Sequence, residues 1–225
     1  MKRSKLIYPA FFLLALTLLL TVIDRRSFDR PFYKKEYEQN NTAEYMGMSQ
    51  EDLDRTTDVL LGYLQDERDD IIVTAVVDGH EREVFDERET LHMIDVKNLY
   101  RNALLFRNIA GIGGVILLIT ALYGYENKKK ILNQGFMGGV GLLFAVIAAL
   151  AVWAAMDFNA FWIQFHEVFF DNDLYLLNPN TELLIRMVPE QFFYDLVMRI
   201  IIEFLGILAV TGIVLKLIPE KKEQA

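Results

Sequence analysis

The chain has 225 residues, a formal net charge of −8 and no cysteine. It is 53% hydrophobic and 24% charged, a mixture which indicates that apolar blocks alternate with polar segments. The lack of cysteine excludes thiol catalysis, cysteine-ligated zinc and disulfide scaffolds. An acidic chain without a basic stripe argues against nucleic acid as a partner.

Four apolar blocks predict four membrane-spanning helices, because a helix of about 20 apolar residues crosses the ~30 Å hydrocarbon core of a bilayer. Three blocks contain an uncharged run of 18 or more residues, and the fourth carries only Arg199 and Glu203 as charges. A buried core helix explains one such block but not four. We therefore expect a mainly α integral membrane protein with transmembrane helices at 6–23, 104–125, 131–156 and 196–215.

The first block follows three basic residues, Lys2, Arg3 and Lys5, as the apolar region of a signal peptide does. Residues 21–24 read Thr-Val-Ile-Asp and offer no small-residue cleavage site. We therefore expect this block to be an uncleaved membrane anchor.

Basic residues flank the blocks on one side of the predicted membrane. The positive-inside rule makes this side cytoplasmic, together with both termini. The segment 24–103, with 20 acidic and 11 basic residues, is then an extracellular cap, and 157–195 is an extracellular aromatic loop. The flanking basic residues are Lys2, Arg3, Lys5, Lys128, Lys129, Lys130, Lys216, Lys221 and Lys222.

Short motifs predict some structure within the cap. Ser49 is suited to cap a helix N-terminus, since acidic residues follow it in the first turn. A β-branched run at 71–77, the dipeptide Asp78 and Gly79, and residues 83–85 predict a short hairpin.

A second helix is predicted to begin at a capping box formed by Asp86 and Glu89. It passes through His92 toward the second membrane block. If it were straight, His92 would lie ~18 Å above Leu104 at about 1.5 Å per residue. We therefore expect the helix to break or to lie along the membrane interface.

The segment 157–195 begins with seven aromatic residues between Phe158 and Tyr175. Aromatic side chains favour the membrane–water interface, so an interfacial belt explains them as well as a binding site does. His166 lies among them, and in a helix it shares a face with Trp162, Phe169 and Phe170.

The three histidines, His80, His92 and His166, all fall in the external segments and have no zinc-ligand spacing, so we predict no metal and no cofactor. His80 is interpreted as a solvated loop residue. Glu89 and Asp95 flank His92 at i−3 and i+3, where a carboxylate would fix its tautomer. A lone histidine is more often structural, but two histidines near one membrane surface favour a function.

The sequence offers no well-placed protein nucleophile. Only three serines occur, Ser4, Ser27 and Ser49, and none lies in a G-x-S-x-G elbow. A covalent acyl-enzyme is therefore disfavoured. An enzyme that uses histidine as its base would take the nucleophile from water or from the substrate.

Charges in the membrane blocks are costly and usually pair or face inward. Arg199 and Glu203 are spaced i,i+4, and Arg107 lies at the outer end of the second helix. A structural ion pair and a role in positioning a headgroup or peptide both remain open. Glycines at 111–114 and 135–141 predict close helix packing.

Two motifs carry a resemblance to a known family. Residues 89–96 match E-x-x-H-M-x-D-V, and residues 161–170 match F-x-x-x-F-H-x-x-F-F. With four membrane helices and a cap after the first, the chain resembles the lipoprotein intramolecular transacylases (the Lit family) of Gram-positive bacteria. Tyr175 and Glu182 stand where the family pattern has tryptophan and aspartate.

The resemblance implies an activity in the bacterial cell membrane. The sn-2 acyl chain of a diacylglyceryl-modified cysteine at a lipoprotein N-terminus moves to the α-amino group of that cysteine, which gives a lyso-form lipoprotein. The substrate then supplies its own nucleophile. The resemblance places catalysis on His92 and His166.

We predict His166 as the base, because burial among aromatic rings lowers its pKa. We predict that His92, held by Asp95 or Glu89, is more readily cationic and stabilises the oxyanion or protonates the leaving alkoxide. Expected partners are the lipoprotein and membrane lipids. Candidate substrate-binding residues are Phe161, Trp162, Phe165, Phe169, Phe170, Arg107, Arg199 and Asp95.

Two other classes stay open at this stage. The acidic cap of a non-enzymatic membrane protein would bind a partner or an external ligand. A metal-dependent membrane hydrolase would use His92, His166 and nearby acids, although ligand spacing is missing.

The predicted topology is testable with single cysteines, since the chain contains none of its own. Asp52→Cys should react with an impermeant thiol reagent in intact cells, and Lys129→Cys should react only after permeabilisation. Labelling of both positions from outside would contradict the topology.

Overall fold

The structure is a computed structural model that describes residues 3–125 and 127–219, so Lys2, Lys221 and Lys222 lie outside the described residues. It divides into two compact units. The first contains Met1–Arg26, Ala103–Met156 and Val197–Ala225, and the second contains Ser27–Asn102 and Asp157–Leu196.

In chain order the elements are a 3₁₀ turn at Arg3–Leu6, α1 (Ile7–Ser27), α2 (Arg30–Asn40), α3 (Thr42–Tyr45), α4 (Gln50–Leu64), β1 (Thr74–Val77), β2 (His80–Glu83), α5 (Glu87–Leu122), α6 (Lys128–Met156), α7 (Phe158–Phe169), α8 (Leu184–Met187) and α9 (Glu190–Leu217).

Four of these helices, α1, α5, α6 and α9, are long and apolar enough to cross a membrane. Large apolar side chains point outward along them, for example Ile109, Ile112 and Ile116 of α5, each more than half exposed. Such surfaces suit lipid rather than water. The predicted mainly α membrane fold is therefore confirmed, although α5 begins at Glu87 and α9 at Glu190, earlier than the apolar blocks themselves.

The helix α5 is continuous over 36 residues, so the predicted break does not occur. At about 1.5 Å per residue it is ~54 Å long. Its start is the predicted capping box, in which the Asp86 N–H donates to Glu89 Oε2 at 2.7 Å and the Glu89 N–H donates to Asp86 Oδ1 at 2.8 Å.

Close packing in the first unit depends on glycines of α6. A Cβ at Gly135 would clash with Ile7, and one at Gly139 would clash with the Tyr8 carbonyl oxygen of α1. Both glycines are buried. The glycine-rich run therefore allows the backbones of α1 and α6 to approach closely, as the sequence predicts.

Two ion-pair groups also join helices of the first unit. Arg107 of α5 donates to Asp24 at 2.6 Å. Glu203 of α9 pairs with both Arg25 and Arg26 at the end of α1. These charges therefore support the structural interpretation of Arg107 and Glu203.

The second unit has an aromatic core. Phe192 lies 5.1 Å from Phe32 and 4.8 Å from Tyr33, measured between ring centroids, and all three are buried. The Tyr37 hydroxyl meets Thr57 Oγ1 at 3.0 Å and links α2 to α4. The predicted cap of α4 is present, since Ser49 Oγ accepts the Asp52 N–H at 3.1 Å.

The predicted hairpin also forms in the second unit. β1 and β2 are antiparallel with Val77 opposite His80, which leaves Asp78 and Gly79 as a two-residue turn. Both turn residues have positive φ, 51° and 81°, which the Asp-Gly dipeptide favours. The second strand is 80–83 rather than 83–85, so His80 is an exposed strand residue and not a loop residue.

Close packing of α6 predicts different effects for two nearby glycines. Gly139→Ala should destabilise the protein by about 1–3 kcal/mol, because the added methyl overpacks the contact with Tyr8. Gly141→Ala is the matched control, since nothing lies within 4 Å of its Cβ position. Thermal unfolding in detergent measures both variants, and equal midpoints would contradict the packing account.

Candidate active site

His92 is the sixth residue of α5 and lies in the second turn of this helix, after the turn that the capping box stabilises. Glu89 Oε2 accepts the Asp86 N–H, and Glu89 Oε1 accepts the Leu184 N–H of α8 at 2.5 Å. Glu89 is fully buried. Its carboxylate therefore anchors the start of α5 to α8, and this anchoring sets the position of His92.

His166 lies on α7, in the segment predicted as an aromatic loop. Asp157 Oδ1 caps this helix by accepting the Ala160 N–H at 2.9 Å. The predicted neighbours Trp162 and Phe170 do contact His166, with ring centroids 5.1 Å and 5.6 Å away. Phe169 instead packs on Phe165 and is 51% exposed.

The structure brings the two predicted histidines together. The ring centroids of His92 and His166 are 5.9 Å apart, with an angle of 35° between the planes. Both side chains are buried, and the ring of Phe170 contacts both of them. His80 is exposed, as expected.

Hydrogen bonding determines the tautomer of His166. Its Nδ1 lies 2.7 Å from the Trp162 carbonyl oxygen, which can only accept, so Nδ1 carries a proton. In the neutral ring, Nε2 therefore has the free lone pair. His166 can accept a proton at Nε2 while the backbone holds its orientation.

Neither Glu89 nor Asp95 forms a hydrogen bond to His92, so the prediction that one of these carboxylates fixes its tautomer is wrong. Glu89 accepts backbone N–H groups, and Asp95 accepts the Asn172 side-chain N–H at 2.8 Å. Within residues 3–125 and 127–219, the enclosed Nδ1 of His92 has no hydrogen-bond partner. Nε2 is therefore the ring nitrogen that a substrate can reach.

Burial keeps both rings neutral. Desolvation, with a smaller contribution from the charge of His166, lowers the pKa of His92 to about 4. Desolvation also lowers the pKa of His166, and its bond to the Trp162 carbonyl partly offsets the effect. The prediction that His92 is the more readily cationic partner is therefore wrong, because burial outweighs the attraction of Asp95.

A small polar pocket adjoins the histidine pair through Phe170. Its volume is about 250 Å³. Asp95, Asn98, Leu99 and Asn102 line it from one face of α5, the face that also bears His92. The predicted binding residue Asp95 therefore lies next to the pair, although its carboxylate also bonds to Asn172.

The other predicted binding residues fall into two groups. Arg107 and Arg199 belong to the first unit, where Arg107 pairs with Asp24. Phe161, Trp162 and Phe165 lie on α7, in the same unit as both histidines. No cluster of three or more His, Asp or Glu side chains suited to a metal ion occurs in the described part of the chain.

Two neighbours of the histidines were not predicted as site residues. The ring of Tyr175 stacks on His166 with centroids 4.7 Å apart. Its place in the aromatic segment was a usable sequence signal. Arg88, one turn before His92, donates to the Asp173 carbonyl oxygen and lies 3.4 Å from the Asp173 carboxylate. A single arginine in a charged segment gave no signal.

The low pKa of His92 predicts how stability depends on pH. Between about 4 and the usual unfolded value of about 6.5, the unfolded chain binds a proton that the folded chain does not. Stability should therefore fall as pH drops through this window, by up to about 1.4 kcal/mol per pH unit from this group.

Thermal unfolding at several pH values tests this expectation. Between about pH 4 and about pH 6.5, the stability of His92→Gln should depend less steeply on pH than that of the natural chain. The exposed His80→Gln is the control and should leave the slope unchanged. Identical slopes in all three proteins would show that His92 does not titrate as described.

The chain is similar to known proteins at the level of family and fold. The family model described as lipoprotein intramolecular transacylase Lit matches residues 9–193, most of the chain. No curated protein sequence matches significantly.

Solved structures share the fold. The chain is similar to the membrane integral lipoprotein intramolecular transacylase Lit from Bacillus cereus, with 21% identity, a TM-score of 0.79, and coverage of 95% of this chain and 94% of that one. Two variants of that protein, each with one histidine replaced, match at 20% identity. The arginine variant has a TM-score of 0.74 and coverage of 95% and 91%. The alanine variant has a TM-score of 0.76 and coverage of 95% and 92%.

At this level of identity the solved structures establish the fold, and the family model establishes the relationship. The chain belongs to the lipoprotein intramolecular transacylase (Lit) family and is a multi-pass membrane acyltransferase that acts on lipoproteins.

Proposed function

We propose that this acyltransferase moves the sn-2 acyl chain of a diacylglyceryl-modified cysteine to the α-amino group of the same cysteine. The product is an N-acylated lyso-form lipoprotein. The observation that carries the proposal is the buried pair of His92 and His166, whose rings lie 5.9 Å apart. Two adjacent neutral imidazoles provide an acceptor and a donor of protons for acyl transfer.

The substrate supplies the nucleophile in this reaction. The chain has no cysteine, and Ser49 is used as a helix cap. An α-amino group has a pKa of about 8, so a fraction of the amino groups is neutral at pH 7 and can attack the ester carbonyl. A protein nucleophile is not needed.

His166 acts as the base. As the amine attacks, its nitrogen becomes more acidic and transfers a proton to His166 Nε2, the nitrogen with the free lone pair. The C–O bond of the ester then breaks, and His166 returns the proton to the leaving glycerol oxygen. One N–C bond replaces one O–C bond, and one O–H bond replaces one N–H bond.

His92 stabilises the charge that develops on the carbonyl oxygen. Because its pKa is about 4, it does this as a neutral ring that donates a hydrogen bond from Nε2. Nδ1 is enclosed and cannot reach the substrate. His166 therefore moves the proton, and His92 holds the oxyanion.

The surroundings of the pair lower the entropic cost of the reaction. The amine and the ester belong to one flexible molecule, and the transition state closes a medium-sized ring. Aromatic side chains such as Trp162, Tyr175 and Phe170 surround His166 and restrict the space available to the lipid. Holding both reacting ends near each other replaces a costly conformational search.

The location follows from the substrate and from the charge pattern. We propose that residues 24–103 and 157–195 form an extracellular cap and aromatic segment, that both termini are cytoplasmic, and that membrane lipids contact the four long helices. The lysine-rich flanks support this orientation. A lipoprotein anchored in the outer leaflet would then meet the histidine pair on the outer side.

Mass spectrometry of a synthetic diacylglyceryl-cysteine peptide in vesicles tests the function. The protein should convert it to a product of unchanged mass whose acyl chain lies on nitrogen. His92→Gln should reduce kcat by about 10²–10³-fold, as the loss of an oxyanion donor does. His166→Gln should reduce it by about 10²–10⁴-fold, as the loss of a general base does. His80→Gln is the control and should retain activity.

A mixture of two isotopically labelled substrates separates intramolecular from intermolecular transfer. Each product peptide should carry the labelled acyl chain of the substrate molecule from which it formed. Exchange of labelled chains between peptides, or full activity of His166→Gln, would contradict the proposal.

A further inference from the structure

Among the residues that the structure describes, two buried polar atoms without partners belong to α5 residues spaced one helical turn apart. In the described ranges 3–125 and 127–219, Arg88 Nε and His92 Nδ1 are both enclosed and make no hydrogen bond. An enclosed polar group without a partner destabilises the folded protein. Their occurrence one helical turn apart calls for a common explanation.

The helix geometry places these groups on one face. Residues 88 and 92 are spaced i,i+4, and helical side chains lean back toward the N-terminus, so His92 leans toward Arg88. The positive charge of Arg88 is close enough to contribute to the lowered pKa of His92. Arg88 Nε–H can only donate, whereas a histidine Nδ1 can accept.

We propose that Arg88 is a positioning residue whose Nε–H donates to His92 Nδ1 in the working enzyme and so holds His92 as the Nε2–H tautomer. This inference rests on the proposed function, because it assigns the donor that the oxyanion needs.

The other contacts of Arg88 are compatible with this role. Its Nη2 donates to the Asp173 carbonyl oxygen and lies 3.4 Å from the Asp173 carboxylate. Nε takes no part in these contacts.

Neither Glu89 nor Asp95 contacts His92 Nδ1 in place of Arg88. Glu89 accepts the Asp86 and Leu184 N–H groups, and Asp95 accepts the Asn172 side chain. A carboxylate at Nδ1 would also favour the opposite tautomer, since it accepts a proton from Nδ1. A donor at Nδ1 therefore distinguishes this histidine from one in a carboxylate–histidine pair.

The assignment gives the two histidines complementary tautomers. His166 carries its proton on Nδ1 and presents a lone pair at Nε2. His92 held by Arg88 presents N–H at Nε2. The pair then offers one acceptor and one donor, whereas without Arg88 both rings are able to present lone pairs to the substrate.

Nitrogen NMR of ¹⁵N-histidine-labelled full-length protein in lipid nanodiscs reads the tautomers directly. The chain has three histidines, so single His→Gln variants assign every signal. In the natural chain His92 should be protonated at Nε2 and His166 at Nδ1. In Arg88→Met, which has no side-chain N–H group to donate, the His92 signals should shift toward the Nδ1–H form while His166 stays unchanged.

Kinetics supply the functional readout. Arg88→Met should lower kcat by about 10²-fold, the effect of losing one oxyanion donor, with little change in KM. Asp173→Ala is the matched control, because it removes the Asp173 carboxylate and leaves both Arg88 Nε and the backbone carbonyl in place. It should keep the His92 tautomer and most of the activity.

Each outcome decides a separate point. An unchanged His92 tautomer in Arg88→Met would overturn the positioning role, and so would an equal loss of activity in Asp173→Ala. Absence of N-acylated product with the natural protein would overturn the proposed function instead. The tautomers are measured without substrate and would still be interpretable in that case.

Discussion

The buried carboxylate of Glu89 is the constraint on which the site depends. It accepts backbone N–H groups from Asp86 at the start of α5 and from Leu184 at the start of α8. Burial raises its pKa, and these hydrogen bonds oppose the increase. The first residue of the E-x-x-H motif is therefore a structural anchor. By fixing the start of α5, it also fixes the position of the histidine three residues later.

The second consequence of burial concerns charge. Two imidazoles enclosed side by side cannot both be protonated without losing hydration and repelling each other, so both stay neutral. A neutral pair suits acyl transfer to an amine, because one ring must accept a proton while the other donates a hydrogen bond. Aromatic rings around His166 provide this environment without adding a competing charge.

The first unit solves a different problem, which is to pack apolar helices where the hydrophobic effect gives little drive. Glycines of α6 let the backbone of α1 approach closely, and the ion pair of Arg107 with Asp24 links α1 to α5. Small residues and paired charges are the usual means of helix association in lipid. The charged residues near the helix ends therefore have a structural use that does not require substrate.

Structural elements that depend only on residues close together in the chain could be predicted from the sequence alone. Uncharged apolar blocks specify four membrane helices, and short motifs specify the Ser49 cap, the Asp78-Gly79 turn and the Asp86–Glu89 capping box, because each depends on neighbours within a few residues. The two histidine motifs pointed to His92 and His166 through family resemblance, and the structure brings these two rings together. Helical periodicity also gave two of the three expected neighbours of His166, Trp162 and Phe170.

Which side chains are packed together, and therefore which hydrogen bonds and pKa shifts occur, depends on the tertiary structure. Sequence spacing suggested that Glu89 or Asp95 holds His92, but Glu89 bonds to Leu184, a residue 95 positions away. Charge spacing suggested that His92 is the cationic partner, but burial among distant rings lowers its pKa to about 4. Desolvation and long-range hydrogen bonds depend on how segments pack together, and no local pattern in the chain encodes them.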